Sequence, residues 1–374
     1  MASEVTYMRM GDIIAPVRIR CGESNPEVVG VDINHRFIPT RANLTGVDTS
    51  KYLVVPEGCF ACNLMHIGRD ERIPLAYNDL GRPLVITHAY YVFRIKAEKL
   101  DSLLPQFLYL YLSRQETDRY TWFCTDSSIR GNLPEERLLD IEIPVPDIEI
   151  QRQLVDVWDG LNGLKVDNDA QAEPLMGLSM SFLKKLREEY VTVPLSQKIE
   201  SCEGRNKEGL LTIENVRGIS IAKSLIFSKA NMEGVPLGNY KIVRPNEFAF
   251  VTVTSRNGEK ISLAFNDSQE NYLVSATYEV FRVVTDDLLP EYLYLWFLRP
   301  EFDRYARFHS WGSARETFNL DDMKRVSIPI PDKSIQQAIV DIFKCAKESK
   351  AISSEAEKLR KAVAPALIQK AIHY

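Results

Sequence analysis

A long internal repeat constrains this chain more than any other feature of its sequence. With an offset of 185 residues, the register holds without a gap from Leu103 to Gln151 of the first copy. With an offset of 188 it extends upstream to Tyr52, and before about residue 50 the two copies diverge. Matching segments are Leu103-Leu104-Pro105 with Leu288-Leu289-Pro290, Asp118-Arg119-Tyr120 with Asp303-Arg304-Tyr305, Pro146-Asp147 with Pro331-Asp332, and Asn78-Asp79 with Asn266-Asp267. Such a repeat predicts two copies of one structural unit.

Each copy begins with a stretch typical of β-structure. Short apolar and β-branched runs, separated by glycine, proline and asparagine, predict strands at 52–55, 84–87, 240–243 and 248–254. After a proline, leucine and aromatic residues recur every three or four positions over 108–119 and 293–304, which predicts one amphipathic helix in each copy. A loop rich in serine, glycine and arginine follows, and then a Pro-x-Pro-Asp element whose prolines favour extended backbone.

A heptad pattern follows each of these globular parts. Apolar residues dominate a 4-3 repeat from Ile150 through Leu154 and Val157 to Phe182, which predicts the seam of a coiled coil. Glycines and Pro174 lie inside this segment and predict a kink or break near its middle. A weaker heptad pattern runs from Ile335 to Leu367. Formal net charges of −3 for 148–189 and +4 for 333–374 favour pairing of the two helices.

These patterns predict an α+β protein. We expect two pseudo-symmetric strand-rich globular domains, separated by long helices that form an antiparallel coiled coil. The predicted boundaries are 1–147 for the first globular domain, 148–189 for a central helical spacer, 190–332 for the second globular domain and 333–374 for a C-terminal helical spacer.

Composition limits the class of protein. The formal net charge of −5 argues against a protein that coats nucleic acid through bulk positive charge, so any DNA contact must be local. The sequence has no secretory signal pattern and no apolar run of about 18 residues, so we expect a cytoplasmic protein without a membrane partner. Six scattered cysteines do not form a disulfide framework, and reduced thiols are expected.

Two segments carry a resemblance to a known family. Ile-Pro-Val-Pro-Asp-Ile-Glu-Ile-Gln at 143–151 and Ile-Pro-Ile-Pro-Asp-Lys-Ser-Ile-Gln at 328–336 each follow a Ser-x-Arg loop and precede a heptad helix. This arrangement resembles the end of a target recognition domain in the specificity subunits of type I restriction-modification enzymes. Residues 89–93 and 276–281 resemble the strand that closes the family's recognition core. The motif departs from the family's usual Glu-Gln pair, because Ile150 and Ile335 precede the glutamines.

The resemblance implies a non-catalytic subunit without a cofactor. Its two target recognition domains, 1–147 and 190–332, would each read one half of a bipartite site in double-stranded DNA. Its helices would set the half-site spacing and dock two methyltransferase (modification) subunits, and a restriction or translocase subunit could accompany them. Because the two copies differ most in their first halves, the two half-sites should differ in sequence.

Candidate DNA-binding residues lie in two pairs of equivalent loops. Arginine and amide side chains read base edges, whereas Lys, Arg, Ser and Thr contact phosphates. Because Arg130 and Arg315 coincide in the repeat, they are better suited to holding phosphate than to reading a base. The alternatives are a solvated turn for the first loop pair and arginines that only support the fold for the second. The candidates are Arg69, Arg72, Ser128, Arg130, Arg256, Asn257, Lys260, Ser313 and Arg315.

Other motifs favour structural roles. The shared Asp-Arg-Tyr triplet on the predicted helix is typical of a structural ion pair with a packed ring. Cys59-x-x-Cys62 resembles half a zinc site, but its repeat counterparts are Glu247 and Phe250, so no metal is expected. The sequence has no phosphate-binding loop, no dinucleotide fingerprint and no methyltransferase tetrapeptide. Two alternatives remain open: a protein-interaction scaffold, and a nuclease or methyltransferase subunit with an unrecognised site.

Overall fold

The computed structural model describes residues 5–22, 27–40, 42–65, 67–126, 131–228, 232, 234–254, 258–312 and 315–372. The chain forms two compact units. Unit 1 contains Met1–Val166 and Ile352–Tyr374, and unit 2 contains Asp167–Ala351. Each unit therefore combines one strand-rich globular part with one part of each long helix. The boundaries at 147, 189 and 332 remain a prediction.

Unit 1 carries the first globular part. Its strands are β1 Thr6–Arg9, β2 Ile14–Pro16, β3 Val29–Val31, β4 Phe37–Pro39, β5 Leu53–Val55, β6 Phe60–Cys62, β7 Leu75–Tyr77, β8 Leu84–Ile86, β9 Tyr91–Ile95 and β10 Glu142–Val145. Its helices are α1 Met10–Ile13, α2 Ile67–Asp70, α3 Pro105–Leu112, α4 Gln115–Phe123 and α5 Glu135–Leu139, with a 3₁₀ turn at Ala97–Lys99. The long helix α6, Ile148–Glu189, begins in this unit.

Unit 2 carries the second globular part. Its strands are β11 Thr192–Pro194, β12 Ile199–Ser201, β13 Arg217–Ile219, β14 Leu225–Phe227, β15 Lys241–Val243, β16 Glu247–Val251, β17 Leu263–Phe265, β18 Tyr272–Val274, β19 Tyr278–Val283 and β20 Ser327–Pro329. Its helices are α7 Pro290–Leu298, α8 Pro300–Phe308 and α9 Leu320–Lys324, with 3₁₀ turns at Leu195–Gln197, Ile213–Asn215 and Leu237–Asn239. The second long helix, α10, spans Lys333–Ile372. No helix in the described part of the chain is both long enough and apolar enough to cross a membrane.

A four-stranded antiparallel sheet forms the centre of each unit. The strand order is β2-β9-β6-β7 in unit 1 and β12-β19-β16-β17 in unit 2. Each sheet carries a pair of stacked phenylalanines, Phe60 with Phe93 and Phe248 with Phe281, both with ring centroids 4.9 Å apart. Successive side chains of a strand point to opposite faces, so both faces of the sheet pack against apolar residues. The prediction of an α+β protein with two strand-rich domains and long helices is confirmed.

The structural repeat reaches further towards the N-terminus than the sequence repeat. The hairpin β3–β4 in unit 1 corresponds strand for strand to β13–β14 in unit 2, at the 188-residue offset. Each hairpin places one non-glycine residue in the left-handed region, His35 with φ 61° and Lys223 with φ 62°. The first strands also correspond, since Tyr7 pairs with Pro144 and Thr192 pairs with Pro329. Backbone geometry is therefore retained where residue identity is not.

The predicted amphipathic helices over 108–119 and 293–304 are each broken into two. Helix α3 ends at Leu112 and α4 begins at Gln115, and α7 ends at Leu298 before α8 begins at Pro300. In unit 2 the break follows from Pro300, which has no N–H to continue the helix. In unit 1 the Thr117 hydroxyl and the Arg114 side chain both donate to the Tyr111 carbonyl oxygen, which satisfies that acceptor at the break.

Helix α6 follows the predicted heptad period but in a different phase. Its well-buried positions include Gln151, Val155, Ala172, Ser179 and Leu183, which keep 4-3 spacing one residue later than the predicted seam. The predicted seam residues Val157, Leu164, Leu178 and Phe182 are between 39% and 50% exposed. The helix also runs uninterrupted through Pro174, so the predicted break is absent from it. The apolar heptad positions therefore form a partly exposed flank of α6, and the buried stripe lies one residue further along the helix.

A buried glutamine connects each long helix to the globular part of its unit. The Gln151 amide accepts a hydrogen bond from the Leu104 N–H (2.9 Å) and donates to the carbonyl oxygens of Ser102 and Pro146 (2.8 Å each). Gln336 makes the equivalent three bonds. Both side chains are completely buried. This glutamine clamp fixes the first turn of the helix against the start of α3 or α7.

In each unit, a buried aspartate on α4 or α8 links that helix to the N-terminal hairpin, β3–β4 or β13–β14. Asp303 of α8 accepts from the Ile261 N–H (3.1 Å) and from the Lys223 ammonium (2.5 Å). Burial lowers the pKa of Lys223, and the hydrogen bond to Asp303 opposes that effect. The Tyr294 hydroxyl donates to the Lys223 carbonyl oxygen at 2.8 Å. The aspartate of the Asp-Arg-Tyr triplet thus has the structural role that its position predicts.

Unit 1 builds the same arrangement with a different cation. Asp118 accepts from the Ile73 N–H (3.1 Å), and its carboxylate lies 3.6 Å from the His35 imidazole. The Tyr109 hydroxyl donates to the His35 carbonyl oxygen at 2.8 Å. His35 and Lys223 therefore occupy equivalent positions, each beside the shared aspartate.

We predict that Gln336→Ala lowers the free energy of unfolding by roughly 2–5 kcal/mol, because one N–H and two carbonyl groups, in buried or partly buried positions, lose their partner. Urea or guanidinium unfolding measures the effect. Gln337→Ala is the matched control, since its side chain is exposed and bonds only to Asp341, and we expect a change within about 0.5 kcal/mol. Equal stability of the two variants would contradict a structural role for the clamp.

We predict that Asp303→Ala costs about 3–5 kcal/mol, because the Lys223 ammonium then lies buried without its counter-ion. The matched variant is Lys223→His, which places the unit 1 residue beside Asp303. It keeps a polar partner for the carboxylate, so its cost should be much smaller. Thermal or chemical unfolding of both variants tests this ranking, and a larger loss for Lys223→His than for Asp303→Ala would contradict it.

Candidate nucleic-acid interface

Two of the predicted DNA-binding loops lie side by side in unit 2. The segment that begins with Trp311 closes on Thr317 through two backbone hydrogen bonds of 3.1 and 2.9 Å. The same segment pairs with the residues that directly follow β16. The Thr254 N–H donates to the Glu316 carbonyl oxygen at 3.0 Å, and the Phe318 N–H donates to the Thr252 carbonyl oxygen at 2.9 Å. Thr254 lies two residues before Arg256 of one candidate loop, and Glu316 directly follows Arg315 of the other. The backbone thus brings the two candidate loops of unit 2 together.

Unit 1 has the same backbone frame. The Asp126 N–H donates to the Asn132 carbonyl oxygen at 2.8 Å, as Trp311 does to Thr317. The Leu133 N–H donates to the Leu64 carbonyl oxygen at 2.8 Å, as Phe318 does to Thr252. The two units therefore present equivalent pairs of adjacent loops on one shared frame. The loop residues themselves differ between the units.

Gly312 is required by the geometry of the unit 2 loop. Its φ is 139°, a conformation that residues with a side chain rarely adopt. A Cβ atom at this position would collide with the carbonyl oxygen of Arg315. The tight turn holds Arg315 with its side chain exposed to solvent. An ion pair between Arg307 and Glu316, and a 3.3 Å hydrogen bond from Arg307 to the Thr254 hydroxyl, brace the same turn.

Three of the nine candidate side chains lie within the described part of the chain. Arg315 and Lys260 are exposed in unit 2. Arg72 is exposed in unit 1, where its guanidinium donates to the Ile33 carbonyl oxygen at 3.4 Å and lines a cleft of about 650 Å³. The remaining candidates lie outside the residues or side chains that the structure describes: Arg69, Ser128, Arg130, Arg256, Asn257 and Ser313.

The two cysteines of the Cys-x-x-Cys motif lie on opposite faces of the unit 1 sheet. Cys62 packs in the cluster with Phe60 and Phe93, whereas Cys59 packs in the cluster with Ala61 and Val92. Burial raises the pKa of both thiols, which disfavours the thiolate that a metal needs. These two residues are therefore unsuited to binding one zinc ion. Within the described residues, no group of three or more His, Cys, Asp or Glu side chains is arranged to hold a metal.

A shared exposed feature that the sequence patterns did not predict lies beside the loops. Phe123 and Phe308 occupy equivalent positions at the last residue of α4 and α8, and they are 83% and 74% exposed. Arg119 and Arg304 lie four residues earlier and are also exposed. The available signal was an apolar residue that recurs in both copies outside the helix's apolar stripe.

Comparisons with known proteins agree with the resemblance seen in the sequence. Residues 226–359 match the family model described as the type I restriction modification DNA specificity domain. Over 116 residues, 30% of this chain, the sequence is 25% identical to the type I restriction enzyme HindI specificity subunit of Haemophilus influenzae. The aligned segment spans 25% of that relative's length.

A solved structure shares the fold over nearly the whole chain. The S subunit of a type I restriction-modification system from M. genitalium superposes with a TM-score of 0.60 at 12% identity, covering 99% of this chain and 96% of that one. The family model matches unit 2 from residue 226 onward and the first residues of α10 that belong to unit 1. The sheet, the glutamine clamp and the loop frame of unit 2 recur in unit 1. Residues 226–359 therefore carry the type I restriction modification DNA specificity domain, within a fold that the chain shares with a solved S subunit.

Proposed function

We propose that this chain is the sequence-specific DNA-recognition subunit of a type I restriction-modification complex. Each globular part, within 1–147 and 190–332, reads one half of a bipartite site in double-stranded DNA. The observation that carries this proposal is the equivalent pair of adjacent loops in the two units, which share a backbone frame but differ in their residues. A shared frame with different loop residues suits two readers of different half-sites.

The chemistry of the loops supports DNA as the ligand. Arg315 and Lys260 present exposed cations at the same end of the unit 2 sheet, beside the backbone frame. Because Arg315 coincides with Arg130 in the repeat, we assign both to phosphate contacts that position the duplex. Arg256 and Asn257, which differ from their unit 1 counterparts, are assigned to base-edge readout.

We further propose that the long helices set the half-site spacing and dock two methyltransferase subunits. The exposed apolar flank of α6, with Val157, Leu164, Leu178 and Phe182, supports a protein partner on this helix. DNA methylation, translocation and cleavage then belong to partner chains, and this chain is non-catalytic. Methyl transfer or DNA cleavage by the purified chain alone, with methyl donor or divalent metal, would instead support the enzyme alternative.

The experiment uses the chain assembled with its methyltransferase subunits. Sequencing of methylated bases in the host genome identifies the bipartite target. Binding of a duplex with that target is then compared with binding of duplexes in which one or both half-sites are scrambled. Each scrambled half-site should weaken binding, and equal affinity for all duplexes would favour the scaffold alternative.

We predict that Arg315→Ala weakens binding of the target and scrambled duplexes by a similar factor. It should also reduce the slope of log affinity against log salt by about one, as expected for the loss of one phosphate contact. Arg282→Ala is the matched control, because Arg282 is exposed, pairs with Glu200 and lies opposite Glu247, at the far end of β16 from the loops. An unchanged salt slope for Arg315→Ala would remove this residue from the interface.

A further inference from the structure

Helices α4 and α8 present the same pair of exposed side chains in both units. Arg119 and Phe123 lie four residues apart on α4, as Arg304 and Phe308 do on α8. Residues with this spacing lie on one face of a helix. The pair is not part of the core, because both phenylalanine rings are largely exposed. Asp118 and Asp303, which precede the two arginines, are buried.

The exposure of these two rings is not explained by packing within the units. A phenylalanine left in water forgoes the stabilisation that burial of its ring would give. Phe123 and Phe308 both do so at equivalent positions, although the sequence around them has diverged: Cys124 follows one and His309 follows the other. A shared residue that the core does not use points to a ligand that both units contact in the same way.

The two faces lie directly beside the candidate DNA-binding loops. Phe308 follows Arg307, whose side chain bonds to the Thr254 hydroxyl and pairs with Glu316 in the loop frame. Trp311, which opens the loop, is 66% exposed three residues later. In unit 1 the loop closed by Asp126 and Asn132 begins three residues after Phe123. A duplex that reaches the loops thus also reaches the end of the adjoining helix.

We propose that Arg119 with Phe123, and Arg304 with Phe308, form a sequence-independent contact to the DNA backbone beside each half-site. The arginine binds a phosphate, and the phenylalanine packs against the neighbouring deoxyribose. This inference rests on the proposed function, since it assigns a further part of the DNA interface to the same units. Because the pair is identical in both units while the loops differ, it positions the duplex and does not select its sequence.

The combination of side chains favours DNA over a protein partner at this face. A cation four residues from an apolar ring matches the alternation of phosphate and sugar along a DNA strand. The position between the helix end and the readout loops would also place a bound protein over the loops. A methyltransferase subunit docked on this face is the competing occupant, and the experiment distinguishes the two.

The test uses the chain assembled with its methyltransferase subunits and two duplex probes, the genomic methylation target and a fully scrambled duplex. The double variant Phe123→Ala/Phe308→Ala should weaken binding of both probes by about tenfold per ring, with their affinity ratio unchanged. The double variant Arg119→Gln/Arg304→Gln should reduce the salt slope by about two. The control is Val284→Ala, an exposed apolar residue that follows β19 at the end of the sheet opposite the loops.

Each other outcome overturns the inference. If the phenylalanine variant loses the methyltransferase subunits in sedimentation while the assembled fraction binds DNA normally, the face docks protein. If the variant binds both probes as the wild type does, the face contacts neither. If only the target probe weakens, the contact reads sequence. Failure of the wild-type complex to prefer its methylation target would instead remove the proposed function and this inference with it.

Unfolding measurements show whether the variants retain their fold. All four substituted side chains are exposed, so stabilities should stay within about 0.5 kcal/mol of the wild type. Phe123→Tyr/Phe308→Tyr keeps both rings and should keep wild-type affinity within about twofold. Loss of binding in the tyrosine variant equal to that in the alanine variant would contradict a contact made by the ring.

Discussion

The architecture of each unit depends on one buried amide. Gln151 and Gln336 each satisfy a backbone N–H and two backbone carbonyl groups where three segments meet: the start of α3 or α7, the Pro-x-Pro element and the first turn of a long helix. An apolar residue in this place would leave three backbone polar groups, in buried or partly buried positions, without their partner. Because an amide alone supplies one acceptor and two donors here, the glutamine fixes the direction in which each long helix leaves its unit.

The glutamine clamp also explains what the Ile-Gln motif does. The glutamine lies inside the helix and faces the globular part, while the prolines before it end the β10 or β20 strand. In unit 2 the Tyr292 hydroxyl adds a bond to the Pro329 carbonyl oxygen at 3.0 Å. The departure from the family's usual residue before the glutamine therefore leaves the clamp itself intact. The motif is a structural junction and not a site of chemistry.

The parts of the fold that could be predicted from the sequence are those in which residue identity carries the information. The stacked phenylalanines and the glutamines recur because each packs or bonds in a way that few residues can replace. The N-terminal hairpins recur only as backbone geometry, with His35 and Lys223 at the same left-handed position. Two residues so different in sequence comparison serve one purpose, since both place a nitrogen beside the shared aspartate. The repeat was therefore invisible there.

The heptad phase could not be predicted from hydrophobicity because the buried stripe of α6 contains polar and small residues. Gln151 belongs to the clamp, and the Ser179 hydroxyl donates to the Met176 carbonyl oxygen within its own helix. Each is buried, whereas Leu164 and Leu178 are half exposed. A count of apolar positions assigns the seam to the leucines. Such a count cannot distinguish a stripe that is buried in the fold from an apolar flank that is half exposed.

For the candidate interface, the sequence indicated two candidate loops in each copy but not how the loops are joined. Shared Ser-x-Arg loops and divergent Arg-rich turns were visible, yet the bond from Thr254 to Glu316 joins segments that are 62 residues apart. The exposed phenylalanines were overlooked because an aromatic residue in an amphipathic helix is ordinarily assigned to the core. Only the burial of each position distinguishes Phe123 and Phe308 from the phenylalanines that stack in the sheets.

The net charge of −5 is compatible with a DNA reader if the attraction is confined to a few contacts. Non-specific affinity grows with the number of phosphates that a protein neutralises. Under the proposed function, an acidic α6 segment and two phosphate-binding arginines in each unit, one on the α4 or α8 face and one in the loop, keep that number small, so the chain would gain little affinity for random duplex. Discrimination would then depend on the divergent loops, which the backbone frame shared by both units places beside the proposed backbone contacts. In this proposal, low affinity for random duplex and correctly placed readout loops act together, because each would raise the ratio of specific to non-specific binding.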